Sequence, residues 1–457
     1  MVRLTPLAAC ALAAALSAVA SAEPVADPVP AETSLAPKRI AGFRVHGKSI
    51  VTETTVGYLA HVHVGDTITS ESLPELEKAM MSSELFETVK ITLEDSPDGV
   101  LVVAELKDKL RQIAAPTVYI APGTWSVGVG YVNNDLRGED KKLLLYGQIG
   151  NRTNMFYGAY LDPSVNGTKL TLRLDLYTYQ MIRPEYANPV DDPTNFSVAR
   201  YVTETFLDAG ALVGWQFKWW LSADVRLRGA YVYFRKAHAD DVDNTALPRP
   251  EADGWDNTAQ VRVTIDHRVH LFGVTSGAYA QVFAESSLPW LDTFQYQDTW
   301  ARAYYSWKFF QEHELELRGF AGVGRHMPFH EELTNGGESD LRGYDADQFR
   351  GDTQLTGRVE YSVPLFKFTP PLIGTLAFRA NAFWDTGYVK FNFPDPSGMR
   401  QYLPGELGGS SWFRNDVGVG FRVYLKSVVL PLLCVDLGYG IEGHSPEVYF
   451  ALGLTDF

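Results

Sequence analysis

From about residue 111 to the end, the chain alternates. Leu170, Leu172, Leu174 and Leu176 fall on one side of an extended backbone, with Thr171, Arg173 and Asp175 on the other. The same split sets Ala259, Val261, Val263 and Ile265 against Gln260, Arg262, Thr264 and Asp266. It recurs in Leu221, Ala223, Val225 and Leu227 against Ser222, Asp224, Arg226 and Arg228. Successive side chains of a strand point to opposite faces, so each run carries one apolar and one charged face. Whole faces of charge are costly in a dry sandwich core. They suit a wall with lipid outside and a water-filled lumen inside. The alternation therefore predicts a mainly β chain closed into a transmembrane β-barrel.

Counting the runs gives sixteen strands, roughly at 112–121, 123–133, 141–150, 153–162, 168–180, 198–214, 217–236 and 256–268, then 273–286, 297–309, 312–326, 353–366, 374–388, 412–425, 431–440 and 446–457. Most reach the roughly 9–11 residues that a tilted spanning strand needs. The 457 residues include 25 Phe, 23 Tyr and 10 Trp, yet mean hydropathy is −0.12. Beyond the N-terminus no apolar run approaches the roughly 20 residues of a membrane helix. Trp215, Trp219, Trp220, Trp300 and Trp307 lie near run ends, where an interfacial aromatic girdle is expected. A formal charge of −15 argues against a nucleic-acid partner.

Residues 1–22 read as a secretory signal: Arg3, an apolar stretch from Leu7 to Ala20, then Ala20-Ser21-Ala22 before Glu23. Leu7-Ala8-Ala9-Cys10 also fits a lipoprotein-type cleavage pattern. If Cys10 leaves with the signal, Cys434 alone remains and no internal disulfide can form. Residues 23–37, rich in Pro, read as a flexible lead-in. Residues 38–109 then change character: a strand from Ile40 to Val45, a short helix, and a second helix carrying Leu73, Leu76 and Met80 on one face. A hairpin follows, turning at Ser96-Pro97-Asp98-Gly99.

Two separated stretches carry the site. Leu341-Arg342-Gly343-Tyr344 sits in a Gly-rich insertion, and Phe383-Trp384-Asp385-Thr386-Gly387 lies about forty residues on, inside an alternating run. An arginine held away from water needs a carboxylate, and a guanidinium can give one carboxylate two parallel donors. Asp385 is the candidate partner, with Glu360 a possible sharer of the network. Together these stretches resemble the BamA/TamA superfamily of outer-membrane insertases and translocases, whose sixth loop carries a (V/L)RG(F/Y) tip. The resemblance implies that Arg342, Gly343 and Tyr344 form that tip and dock on an (F/G)xDxG segment, here Phe383, Asp385 and Gly387. It extends to residues 38–109, where Phe43, Val45, Gly47 and the stretch from Leu85 to Lys90 resemble a POTRA module. That module is expected to lie in the periplasm, offering an open sheet edge to clients or serving as a spacer at the barrel mouth. The expected fold is thus a sixteen-stranded barrel over residues 110–457 preceded by one POTRA domain, in the outer membrane of a Gram-negative bacterium.

The function implied is insertion or translocation of unfolded outer-membrane or secreted polypeptides, through lateral opening between the first and last strands. Pro116, Gly438, Gly440, Gly443 and Gly453 thin those strands. Phe457 ends the closing strand on an aromatic, resembling the signal read by the assembly machinery that inserts such barrels into outer-membrane lipid. The alternative is a passive channel or structural surface protein on the same scaffold. No nucleophile elbow, phosphate loop or dinucleotide fingerprint occurs, so neither catalysis nor a cofactor is expected. His326 and His330, with Glu331 and Glu332, are read as the base of loop six rather than a metal site, because Met327-Pro328-Phe329 breaks the helix that would align them. Arg350-Gly351-Asp352 is read as the loop's return.

Overall fold

A computed structural model describes residues 37–187, 197–236, 248–271, 274–310, 312–371, 374–403, 405–407, 413–425 and 431–453. The expected signal, most of the lead-in and Phe457 lie outside the described residues. The N-terminal unit comprises β1 (Lys38–Lys48), α1 (Glu53–Leu59), β2 (Thr67–Ile68), α2 (Leu73–Ser82), β3 (Phe86–Ser96) and β4 (Gly99–Asp108). Its sheet runs β2-β1-β4-β3, with β1 parallel to β4. Thr52 caps α1 by accepting from Thr55 N at 3.2 Å, and Pro74 sits in the first turn of α2, where its missing N–H costs nothing. Leu76 and Met80 of α2 pack with Ile40, Phe86, Val100 and Val102 over one sheet face. Gly99 turns the β3–β4 hairpin at φ +140, where a Cβ would stand 2.1 Å from the Arg39 carbonyl.

The rest is a closed antiparallel barrel of sixteen spanning strands. The first eight are β5 (Gln112–Ala121), β6 (Thr124–Leu136), β7 (Lys141–Gly150), β8 (Thr153–Asp162), β9 (Leu170–Ala187), β10 (Ser197–Lys218), β11 (Leu221–Lys236) and β12 (Gly254–Asp266). A short β13 (Val269–Leu271) precedes β14 (Val274–Ser287), β15 (Gln297–Phe309) and β16 (His313–Arg325). Loop six then carries its own ribbon, β17 (Leu333–Asn335) paired with β18 (Phe349–Gly351). The wall resumes with β19 (Thr353–Phe368), β20 (Leu376–Lys390), β21 (Arg414–Leu425), β22 (Pro431–Gly440) and β23 (Ser445–Leu452). β23 returns to β5 and closes the ring. Leu174, Leu176, Val225, Leu227, Val261 and Val263 stand exposed on the outer face, as the alternation requires. Asp175, Asp208, Arg226 and Arg262 point inward and pair across strands, Arg262 Nε reaching Asp224 at 3.0 Å.

Three details depart from the sequence expectation. First, β9 and β10 run past the expected 168–180 and 198–214. Second, the tryptophan girdle is partial. Trp215 and Trp307 are on the outer wall, but Trp300 faces the lumen, stacked on Phe283 with centroids 4.5 Å apart. Trp219 and Trp220 occupy the β10–β11 turn and pack against His267. Third, the lumen is not wet throughout. Val232 and Phe234 of β11 join Val202, Phe206, Phe294 and Phe329 in a buried cluster towards the end remote from the α/β unit. Period two specifies which face a side chain takes, not whether water reaches that face.

The α/β unit sits on the near rim. Thr52 N and Thr55 Oγ1 donate to the Gly138 carbonyl at 3.2 and 2.9 Å, and Tyr58 Oη donates to the Pro163 carbonyl at 3.0 Å. Lys142 Nζ reaches the Ser83 carbonyl at 3.3 Å, and Lys78 lies over Trp219. At this contact burial, with nearby Lys169 and His63, holds the His61 imidazole down to about 4.

Candidate functional site

On β20 every second residue faces the lumen, and the three inward positions Phe383, Asp385 and Gly387 each do something different. Asp385 is fully buried and accepts from Arg342 through both oxygens: Nε to Oδ2 at 2.8 Å and Nη2 to Oδ1 at 3.0 Å. This is the bidentate geometry that a planar guanidinium favours. Phe383 lies flat beneath, its centroid 3.3 Å from Arg342 Cζ, adding a cation–π contact. Gly387 supplies space, since a Cβ there would stand 2.8 Å from Asn335 Nδ2 and 3.1 Å from Leu341 Cδ1.

Arg342, 1 % exposed, has two further partners. Nη1 donates to Glu360 Oε2 at 2.9 Å and to Asp436 Oδ2 at 3.2 Å. Arg358 on β19 donates to Asp385 Oδ1 at 3.0 Å, and Arg422 on β21 donates to both oxygens of Asp436 at 2.7 Å. Three guanidiniums and three carboxylates thus share one buried network, which a lone charge could not do without a large desolvation penalty.

The other tip residues bind through backbone and hydroxyl. Gly343 N donates to Asp416 Oδ2 at 3.0 Å, and Tyr344 Oη donates to Glu442 Oε2 at 2.6 Å. The tip backbone lies directly on β22. A Cβ on Gly438 would stand 2.2 Å from the Arg342 carbonyl, and one on Gly440 2.4 Å from that of Gly343. Tyr449 of β23 donates to the Tyr344 carbonyl at 2.9 Å. Asp436, Asp416, Arg358, Arg422 and Tyr449 were not singled out from the sequence. Each becomes a neighbour through strand register, as where Arg358 and Asp416 stand opposite Asp385. No local pattern reports such register.

The histidines of the loop base do not converge. His330 is buried with Nε2 2.9 Å from Asp256 Oδ2, whereas His326 is exposed at φ +55. Asp256, His330 and Glu331 place potential ligand atoms within 4.8 Å of one another. The Arg228 guanidinium already occupies that position, with Nη2 2.5 Å from Asp256 and Nη1 2.8 Å from Glu331. Glu332 turns away to Arg350 and Arg400, at 3.0 and 2.6 Å.

The seam is short. β23 pairs with β5 only at Phe450↔Ile120, Ala451↔Tyr119 and Leu452↔Val118 among the described residues. Ser445–Val448 run beyond the end of β5 at Ala121 and carry no β5 partner. Gly453 continues the contact, passing so close to Pro116 that a Cβ would stand 2.2 Å from its carbonyl.

Solved structures share this architecture. BamA from Haemophilus ducreyi lacking POTRA domains 1–3 matches with a TM-score of 0.56 at 13 % identity, over 91 % of this chain and 84 % of that one. CdiB from Acinetobacter baumannii gives 0.58 at 11 %, over 91 % and 74 %, and CdiB from Escherichia coli gives 0.54 at 13 %, over 99 % of both chains. A search of curated proteins finds no match. Residues 135–447 match the Omp85 superfamily domain. On that match, which takes in most of the barrel, the chain belongs to the Omp85 superfamily.

Proposed function

We propose that this barrel inserts or translocates unfolded polypeptide in the outer membrane of a Gram-negative bacterium, by opening between β23 and β5. The observation that carries this reading is that Ser445–Val448 of β23 run past the end of β5 without a β5 partner, beside a loop tip anchored from within. An unpaired strand edge offers a row of main-chain donors and acceptors that pairs with an incoming strand with little demand on its sequence. Opening the seam would expose such an edge to lipid, and no covalent step is needed.

The partners are then outer-membrane lipid, outer-membrane or secreted clients, and the assembly machinery that places the barrel itself. The α/β unit acts as a periplasmic POTRA domain. Its rim contacts favour a spacer role, and on the open edge of its sheet the Ile91 N–H is already taken by Glu77 Oε1 at 2.8 Å. Loop six acts as an anchor through Arg342, Asp385 and Glu360.

Reconstitution into proteoliposomes tests the reading. Wild type should accelerate insertion or passage of an unfolded substrate, and Arg342→Ala should not. If neither accelerates any substrate while both conduct ions, the barrel is a passive channel.

A further inference from the structure

The geometry points to loop six as a staple across the seam, with Tyr449 on β23 and Tyr119 on β5 as its two attachment points. The loop tip does more than bind the wall at Asp385. Its backbone is pressed onto β22 at Gly438 and Gly440, a fit that tolerates no added carbon, so the tip cannot slide along that strand. From this fixed position the Tyr344 carbonyl accepts the buried Tyr449 hydroxyl at 2.9 Å. Six residues earlier in the same loop, the Glu338 carboxylate faces the Tyr119 hydroxyl within interaction range.

Tyr119 and Tyr449 belong to the two strands that meet at the seam. Tyr119 stands opposite Ala451, two residues along β23 from Tyr449, so alternation places both rings on the lumen face. The segment between the attachment points is internally tied. Gly337 N donates to the carbonyls of Leu341 and Tyr344 at 3.1 and 3.0 Å, and Arg358 Nη2 donates to the Glu338 and Ser339 carbonyls at 3.0 and 3.1 Å. One rigid turn therefore grips β23 at one end and β5 at the other.

The staple adds to the backbone ladder between these strands a side-chain link from inside. Separation of the strands on the lumen side must release one of the two tyrosines. The geometry stands by itself; its meaning as a control on opening rests on the seam being the polypeptide exit proposed above.

A series link has a distinctive signature. Cutting either end disconnects it, so cutting both ends does no more. Amide hydrogen exchange of the full chain in lipid nanodiscs reads this at residues 118–120 and 450–452. Tyr119→Phe and Tyr449→Phe keep each ring and remove only the hydroxyl. Each should raise exchange at both strands about two- to tenfold, the range expected for one lost hydrogen bond. The double variant should match the larger single effect. Glu338→Ala, which cuts the same link from the loop side, should match Tyr119→Phe. Residues of the β10–β11 ladder should exchange at the wild-type rate throughout.

Unchanged seam exchange in the single variants overturns the staple. So does a double variant equal to the product of the singles, which would mark two independent contacts. Client insertion assayed on the same variants separates the two proposals. Faster seam exchange with no insertion by wild type leaves the staple standing and removes the insertion reading. Unchanged seam exchange with normal wild-type insertion does the reverse.

Discussion

The wall at β9–β10–β11 and the seam at β23–β5 are built of the same material, but β10 is paired along nearly its whole length whereas β23 overhangs its partner. β10 pairs with β9 from Ser197↔Ala187 to Trp215↔Leu170, and with β11 from Val202↔Lys236 to Lys218↔Leu221. The seam has three described pairs. At a net contribution near 1 kcal/mol per ladder hydrogen bond the long ladders make the first wall effectively permanent, whereas at the seam Ser445–Val448 of β23 run beyond the end of β5 and have no β5 partner. A closed ring removes sheet edges, but it need not do so with equal strength all the way round. Here the weak line is the place where the two chain ends of the barrel meet, and the lumen loop lies directly behind it.

The largest expected effect comes from abolishing the contrast. A disulfide between Phe450→Cys and Ile120→Cys, directly opposed in register, should bring insertion to background until reductant restores it. The same bridge across β10–β11, at Leu207→Cys with Tyr231→Cys, should change nothing. Insertion that survives a locked seam removes lateral opening from the mechanism.

Next comes the anchor. Arg342→Ala removes the bidentate partner of the buried Asp385, leaving it a single bond from Arg358, at a cost of about 3 kcal/mol. Asp385→Ala should cost a similar amount, read as a lower denaturation midpoint of the barrel. In a double-mutant cycle the two losses should be strongly non-additive; simple additivity would contradict a coupled pair.

A smaller effect isolates backbone fit from charge. Gly440→Ala puts a carbon 2.4 Å from the Gly343 carbonyl and should cost about 1–3 kcal/mol while lifting the tip from β22. Gly147→Ala, whose nearest neighbours lie 3.9 Å away, should be neutral on the same assay. Equal effects at both sites would mean that β22 is not shaped to the loop.

The smallest effect lies at the rim. His61 is held down to about 4 by burial, Lys169 and His63, so folding favours its neutral form. The contribution is therefore complete above the usual imidazole value near 6.5 and is lost as pH falls from there towards 4. Limited proteolysis of the α/β unit should quicken across that window, and His61→Gln should flatten the change. A pH-independent wild type would show that His61 does not report rim docking.

Much of the barrel was legible because turns punctuate it. Runs such as 141–150, 153–162 and 431–440 end at a Gly or directly before an Asn or Pro, and the strands end there too. β9 and β10 were underestimated for a physical reason. Past Tyr179 the sequence reads Gln180-Met181-Ile182-Arg183-Pro184, and the alternation disappears although the ladder continues to Ala187. Once a wall rises beyond lipid its outer face no longer has to be apolar, so the signal fades while the hydrogen bonds persist.

The site divides in the same way. Arg342 and Asp385 stand out because each lies in a short patterned stretch, one in a Gly-rich loop and one on an alternating strand. Asp416 and Asp436 have no such flag. They matter because β21 and β22 are registered so that their carboxylates fall beside the loop tip, a fact of sheet assembly rather than of neighbouring sequence.

The buried cluster of Val202, Phe206, Val232, Phe234, Phe294 and Phe329 ranks two exits by time. A passenger moving along the barrel axis would have to pull Phe329 out of its neighbours and wet several large apolar faces, each costing about 1.5–3 kcal/mol. Every such increment of about 1.4 kcal/mol in a barrier is a tenfold delay. On the proposed function, stepping sideways demands only that the seam and one loop attachment let go. The lumen would then be a slow corridor and a fast doorway, with the apolar cluster at its far end setting the difference between them.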